Sequence, residues 1–296
     1  MKLVIVGNCQ ITYIGERLRQ GLQQNSEIYI PKPIHLISDE DIIELHEKVT
    51  ECDCLVIQPI GDNYRGSVGL GTNFLKNILR NDAQSIVIPN LYFDGLFPTF
   101  GYLSDKNNSR ILARDKLWEG QKPPFSDYHD YLMVICANKG FNSSEFINLV
   151  NSNLPANLIE KLFDKSYNEL KKRDRACDVK ATVLFDSADF SPNNFSSFNH
   201  PSNALMDKLA TAILELAGIP GAVFRDDTVE EFKHPKLTVY PFLFDSANEF
   251  FIEDTIKKYD FYCNYYQSQG FKERIAGVKL SNEYQLAQEI IEAANV

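Results

Sequence analysis

No run of this 296-residue chain approaches the roughly 18 apolar residues of a membrane span. Lys2 is followed by only five apolar or glycine residues before Asn8, too few for a signal-peptide core, so a cytoplasmic protein is expected. Histidine is scarce. The five His form neither H-x-x-x-H nor H-E-x-x-H, which leaves a zinc site without support, and no metal is expected. The six Cys are scattered and include no C-x-x-C, since Cys52 and Cys54 are C-x-C. Free thiols rather than a disulfide framework are expected. Positive charge is in deficit, with 30 Lys and Arg against 40 Asp and Glu for a formal net charge of -10. That argues against a broad nucleic-acid surface but leaves room for a local basic pocket. No D-x-D stands at a strand end, which argues against a glycosyltransferase, because Asp39-Glu40-Asp41 fits a helix start better. There is no internal repeat and no low-complexity stretch.

What is present is a core. Hydrophobic residues make up 44%, enough for one large α/β domain or two smaller ones. Lys2-Leu3-Val4-Ile5-Val6 is apolar and β-branched and reads as a buried parallel strand. After the turn Gly7-Asn8-Cys9-Gln10, Ile11, Ile14, Leu18 and Leu22 recur at spacings of three and four, the apolar face of a helix. Strands over Ile28–Ile30, Cys54–Ile57 and Ser85–Ile88 alternate with helices, one capped by Ser38 and a short one over Asn73–Arg80. This pattern predicts a parallel sheet with flanking helices. Residues 1–104 are then an α/β core and 105–180 a helical insertion or cap. The insertion has helices over Asp127–Ala137, from Ser143 or Ser144, and over Leu158–Arg175. Residues 181–245 return to the core with a helix through Leu205, Leu209, Ile213 and Leu216. Residues 246–296 form C-terminal helices whose aromatics are expected to be packing.

In such sheets ligands bind beyond the carboxyl ends of the strands. Cys9, Gln58 and Asn90 all fall at those ends. Cys9 also sits where a strand stops and a helix starts. Free backbone N–H groups and the helix dipole favour negative charge there, so its thiol is expected to be more acidic than a free one. Gly7 allows the tight turn that lifts Cys9 above the sheet.

Gly7-Asn8-Cys9-Gln10, the Tyr128-His129-Asp130 segment and Asn199-His200-Pro201 before a helix together resemble the WcbI family of capsular-polysaccharide biosynthesis proteins. The resemblance runs to about residue 220. The layout is also similar to that of the SGNH/GDSL hydrolases, whose fold is a Rossmann-like sheet. The resemblance to the WcbI family implies an O-acetyltransferase that moves an acetyl group from acetyl-CoA to a sugar hydroxyl of a capsular or surface polysaccharide. In it Cys9 stands where the hydrolases have their nucleophile, Asn90 near their oxyanion asparagine and His200 at their base. Where those hydrolases carry an Asp three before the His, this chain has Ser197, which leaves either a dyad or an acid elsewhere, such as Asp186 or Asp189. The backbone N–H groups of Cys9 and Gln10 are expected to join Asn90 in holding the oxyanion. An acyl-Cys intermediate and direct attack by the hydroxyl are equally compatible with these residues. Arg65, Gln58, Lys139 and Arg173 are the candidates for binding coenzyme A, with Arg65 ranked first. The partners are thus an acyl-CoA and a glycan acceptor, with a homo-oligomer allowed. Two other readings fit the same residues: an esterase or thioesterase that admits water, and a non-catalytic nucleotide-sugar or CoA binder.

Overall fold

The computed structural model describes residues 1–22, 25–105, 107, 109–185, 194–221, 224, 236–243, 249–266 and 281–294. The chain divides into two compact units. The first comprises Met1–Phe93, Tyr167–Phe195 and Asn199–Lys233; the second comprises Asp94–Ser166, Ser196–Phe198 and His234–Val296.

The first unit is built on a four-stranded parallel sheet. Strands β1 (Lys2–Val6), β2 (Glu27–Tyr29), β3 (Cys54–Ile57) and β4 (Gln84–Val87) run in the order β2-β1-β3-β4. Val6 stands opposite Ile57 and Ile57 opposite Val87, so the three longer strands end level on one edge. β1 and β3 are central and covered on both faces. This is why they carry no polar residue beyond Lys2 at the start of β1. Outside β4, the Asp178 N–H donates to the Val87 carbonyl at 2.7 Å and the Asp178 carboxylate accepts the Val87 N–H at 2.7 Å. A short segment thus covers backbone groups that an edge strand would otherwise expose.

Helix α1 (Gln10–Gly21) buries Ile11, Ile14 and Leu18 completely. Helix α2 (Asp39–Glu51) starts with a capping box. Ser38 Oγ accepts the Asp41 N–H, and the Asp41 carboxylate accepts the Ser38 N–H at 2.8 Å. The short helix α3 spans Thr72–Asn77, ending before the Arg80 limit expected from sequence. Helices α4 (Tyr131–Lys139), α5 (Ser143–Val150), α6 (Ala156–Asp174) and α7 (Ala181–Leu184) precede α8 (Asn203–Leu216), which buries Leu205, Leu209 and Ile213 and leaves Leu216 exposed. Phe93, Phe185 and Phe195 stack with ring centroids 5.4 to 6.1 Å apart.

In the second unit the start of the helix expected over Asp127–Ala137 is taken by a two-residue strand, His129–Asp130, antiparallel to Phe100–Gly101. The helix itself runs over Tyr131–Lys139. The reason is local: the Asp130 carboxylate accepts the Leu132 N–H at 2.9 Å and so acts as the N-cap. The following helix, Ser143–Val150, is capped by Asn142 with Glu145 rather than by either serine. The long polar helix spans Ala156–Asp174, and its residues from Tyr167 onward belong to the first unit. C-terminal helices cover Glu249–Tyr266 and Asn282–Ala293. Their aromatics pack as expected: Tyr259, Tyr262, Tyr265 and Tyr266 are buried, and Tyr259 stacks on Phe146 at 4.1 Å.

Candidate active site

Three loops leave the carboxyl edge of the sheet after β1, β3 and β4, and amide side chains tie them together. The Asn8 N–H donates to Gln58 Oε1 at 2.8 Å. The Gln10 N–H donates to Asn8 Oδ1 at 2.9 Å. Because that oxygen is the acceptor, Asn8 Nδ2 is the donor in its 3.0 Å bond to Asn90 Oδ1. Asn90 then has its Nδ2 as the remaining donor. A backbone N–H starts the chain of assignments, so each amide orientation follows from the one before it. Cys9, Gln58 and Asn90, which sequence places at separate strand ends, are thus brought to one edge.

Gln10 is fully buried, and all four hydrogen-bonding positions of its side-chain amide are used. Oε1 accepts the Leu91 N–H at 3.1 Å and Gln58 Nε2 at 3.2 Å. Nε2 donates to the carbonyls of Leu91 and Asn199, both at 2.8 Å. The residue after Cys9 therefore holds the residue before His200. A second tie fixes the helices that follow these two residues. Arg17 on α1, 1% exposed, pairs with Asp207 on α8 at 2.9 Å. Sequence reading missed both ties. The signal for Arg17 was its place three residues after Ile14 and beside Leu18, on the stripe that carries the core.

Gly7 is required here for space rather than for an unusual backbone. A Cβ at that position would lie 2.3 Å from Gln58 Oε1 and 2.8 Å from Ile11 Cγ2. His200 is 2% exposed and opens the short strand His200–Pro201. Ser202 then caps α8. Ser197 is fully buried. Asp186 and Asp189 lie outside the described residues.

Cys9 is half-buried, whereas Cys52, Cys54, Cys136 and Cys177 are buried. Contrary to the expectation of an acidic thiol, burial pushes the Cys9 thiol above its usual value. The opposing pull comes from its own backbone N–H. Desolvation outweighs the helix terminus because the first-turn donors are already engaged: the Gln10 N–H on Asn8 Oδ1 and the Ile11 N–H on the Asn8 carbonyl at 3.1 Å. Cys9 therefore rests as a neutral thiol.

The cations expected to meet coenzyme A differ in their surroundings. Arg173 is half-buried, donates from Nη2 to the Tyr92 carbonyl at 2.6 Å and lies 5.3 Å from the Tyr92 ring centroid. Tyr92 is two residues past Asn90, and its N–H donates to the Asn90 carbonyl. Arg65 adopts a left-handed backbone, φ 52°, and donates from Nη1 to the His35 carbonyl at 2.6 Å. Lys139 is exposed in the last turn of its helix in the second unit. Gln58 is 3% exposed, with its amide spent on Asn8, Gln10 and the Pro89 carbonyl.

Among the described residues no helix is long and apolar enough to cross a membrane. No curated protein matches the chain. A solved structure of WcbI matches with a TM-score of 0.71 and 17% identity, over 99% of this chain and 98% of that one. That protein is described as a novel polysaccharide biosynthesis enzyme, in its native form without the disulfide bond between coenzyme A and one of its cysteines. At this identity the likeness carries the fold. The family model for the polysaccharide biosynthesis enzyme WcbI matches residues 2–222, a span that holds the amide network, Cys9 and His200. The chain belongs to the WcbI family of polysaccharide biosynthesis enzymes.

Proposed function

We propose that this protein is a cytoplasmic O-acetyltransferase that uses acetyl-CoA to acetylate a sugar hydroxyl of a capsular or other surface polysaccharide, with Cys9 and His200 at its centre. One observation carries the reading: the Gln10 side chain, next to Cys9, bonds the carbonyl of Asn199, next to His200. The family's place in polysaccharide biosynthesis supports the class of acceptor. The coenzyme A described for the structural relative supports the class of donor. The roles are those implied by the resemblance of the sequence to the SGNH/GDSL hydrolases.

The residues present suit an acyl-CoA. Cys9 is a half-buried thiol at a helix N-terminus whose first turn carries no acidic residue. Acetyl-CoA supplies the acetyl group in activated form, as a thioester. A neutral thiol has to lose its proton as it reacts, so His200 is the base that takes the proton from Cys9 Sγ as the sulfur bonds the thioester carbonyl, and it gives that proton to the coenzyme A sulfur as the thioester C–S bond breaks. In the second half the neutral His200 takes the proton of the sugar hydroxyl as its oxygen bonds the acyl carbon, and returns it to Cys9 Sγ as the sulfur–acyl bond breaks. Asn90 Nδ2, oriented by Asn8, is the oxyanion donor; removing such a donor costs about 2.7–4 kcal/mol of transition-state stabilisation. The Gln10 N–H, closed on Asn8 Oδ1, is given no part in that hole. Among the cations Arg173 takes first place for the phosphates, since it is anchored to Tyr92 just beyond Asn90. Gln58 supports the turn instead of meeting the ligand.

The test is mass spectrometry after incubation with acetyl-CoA, beside a transfer assay with a sugar acceptor. One acetyl group is expected on Cys9, and none in Cys9→Ala. His200→Ala is expected to lose about 10²–10⁴ in turnover while still binding coenzyme A. Full transferase activity in Cys9→Ala would remove the covalent route. Unchanged turnover in His200→Ala would remove the base. Acetate release that needs no acceptor would favour a thioesterase.

A further inference from the structure

We infer that the Gln10 side chain is a positioning residue: it sets the His200 loop in register with the Cys9 turn, so that the reactivity of the sulfur depends on residue 10 as much as on residue 200. The inference rests on the proposed pairing of Cys9 with His200, and it assigns the determinant of that pairing to an amide that touches neither reacting atom.

Three observations lead to it. The amide is fully buried and makes four hydrogen bonds. An amide of this kind can be neither rotated nor shortened without stranding a partner. Its bonds also go to different places in the sequence: Gln58 after β3, Leu91 after β4, and Asn199 before His200. A core glutamine that served packing alone would have no need to join three loops at one sheet edge. Finally, the bond to Asn199 goes to a main-chain carbonyl. It thus fixes the path of the backbone one residue before the imidazole, whatever side chain stands at 199. The Arg17–Asp207 pair fixes α1 against α8 farther from the site. Gln10 therefore sets local register on top of an alignment that is already secured.

The chemistry dictates which variants to use. Gln10→Met keeps the length and removes all four bonds. Gln10→Glu keeps the shape but aims a carboxylate oxygen at two carbonyls, Leu91 and Asn199, where the amide donated. Both are expected to fold, because α1 retains its buried stripe and its ion pair to α8. The readout is the rate of alkylation of Cys9 by iodoacetamide, resolved by peptide mass spectrometry from pH 6 to 10. This readout needs neither acetyl-CoA nor a sugar.

With His200 assisting loss of the thiol proton, the parent is expected to react about tenfold faster at pH 7.5 than His200→Ala, one pH unit's worth of thiolate. Gln10→Met and Gln10→Glu are expected to fall to within about twofold of His200→Ala across the whole pH profile. The double variant Gln10→Met/His200→Ala is expected to be no slower than His200→Ala alone, because both changes remove one coupled function. Val49→Ala, a core change on α2 away from this edge, controls for lost stability and is expected to keep the parent profile. A Gln10→Met or Gln10→Glu protein that folds and keeps the parent rate would overturn the inference while leaving the Cys9–His200 pair intact. A parent profile indifferent to His200→Ala would overturn the pair, and the inference with it.

Discussion

Replacing Gly7 by alanine tests whether the turn is shaped by the Gln58 amide. Gly7 has no positive φ, so alanine incurs no backbone penalty there, and the whole cost is steric. The added methyl would meet Gln58 Oε1 at 2.3 Å, Gln58 Cδ at 2.8 Å and Ile11 Cγ2 at 2.8 Å. Ile11 is fully buried, so its methyl gives only as far as the 2.8 Å contact demands, and the larger displacement falls on the flexible end of Gln58. Its displacement breaks the 2.8 Å bond from the Asn8 N–H and the 3.2 Å bond to Gln10 Oε1. A stranded buried donor costs about 1–3 kcal/mol, and inserting a methyl into a packed site about 1–3 kcal/mol. The two overlap, so about 3 kcal/mol is expected, a large part of the roughly 5–15 kcal/mol of a typical domain. The assay is urea unfolding of parent, Gly7→Ala and Gly61→Ala. Gly61 has nothing within 4 Å of its added methyl and is expected to stay within about 0.5 kcal/mol of the parent. Gln58→Ala removes two of the three close contacts of the added methyl, so the double variant is expected to lose less than the sum of the singles. Equal midpoints for Gly7→Ala and Gly61→Ala, or strict additivity with Gln58→Ala, would refute the steric argument.

Other outcomes follow from the same structure. Asp207→Asn leaves the Arg17 guanidinium, 1% exposed, without its counter-charge. About 3 kcal/mol of stability is expected to go in urea unfolding, the low end for a broken buried pair because Asp207 keeps some solvent. In His200→Ala, where burial alone governs the thiol, Cys9 alkylation is expected to climb about tenfold per pH unit up to and beyond pH 9; a plateau below pH 8 would contradict a raised thiol. In the second unit, burial holds His129 down to about 4 and pushes Asp130 up to about 6. The depressed histidine loses stability as pH falls from about 6.5 to 4, whereas the raised aspartate gains over nearly the same range, so the two offset each other in the parent. Asp130→Asn leaves only the histidine and is expected to lose up to about 3 kcal/mol more than the parent between pH 6.5 and 4 in urea midpoints.

The parallel sheet was legible because β1 and β3, covered on both faces, had to be apolar from end to end, and because Ser38 and Asp41 mark a helix start by their own chemistry. The edge that gathers Cys9, Gln58 and Asn90 followed from the strand ends alone. Boundaries failed where a side chain overruled propensity. Asp127 to Ala137 reads as continuous helix until the Asp130 carboxylate is seen to cap Leu132. The acidity of Cys9 was misjudged because sequence shows the helix terminus but not the burial that opposes it, nor the bonds that already occupy the first turn. Gln58 reads from sequence as a coenzyme A candidate at a strand end and Gln10 as a backbone oxyanion donor, and neither reads as a buried amide that ties loops together. Their roles depend on contacts over 48 to 189 positions of sequence, which no local pattern carries.

Protection of Cys9 by coenzyme A tests the proposed site most directly. The protein is alkylated with iodoacetamide at pH 8 with and without saturating coenzyme A, and each cysteine is quantified by peptide mass spectrometry. Cys9 is expected to be shielded by coenzyme A, and Cys263, the other thiol that is not buried, to react equally in both samples. Equal alkylation of Cys9 with and without coenzyme A, under conditions where calorimetry shows coenzyme A bound, would place the donor elsewhere and contradict the account.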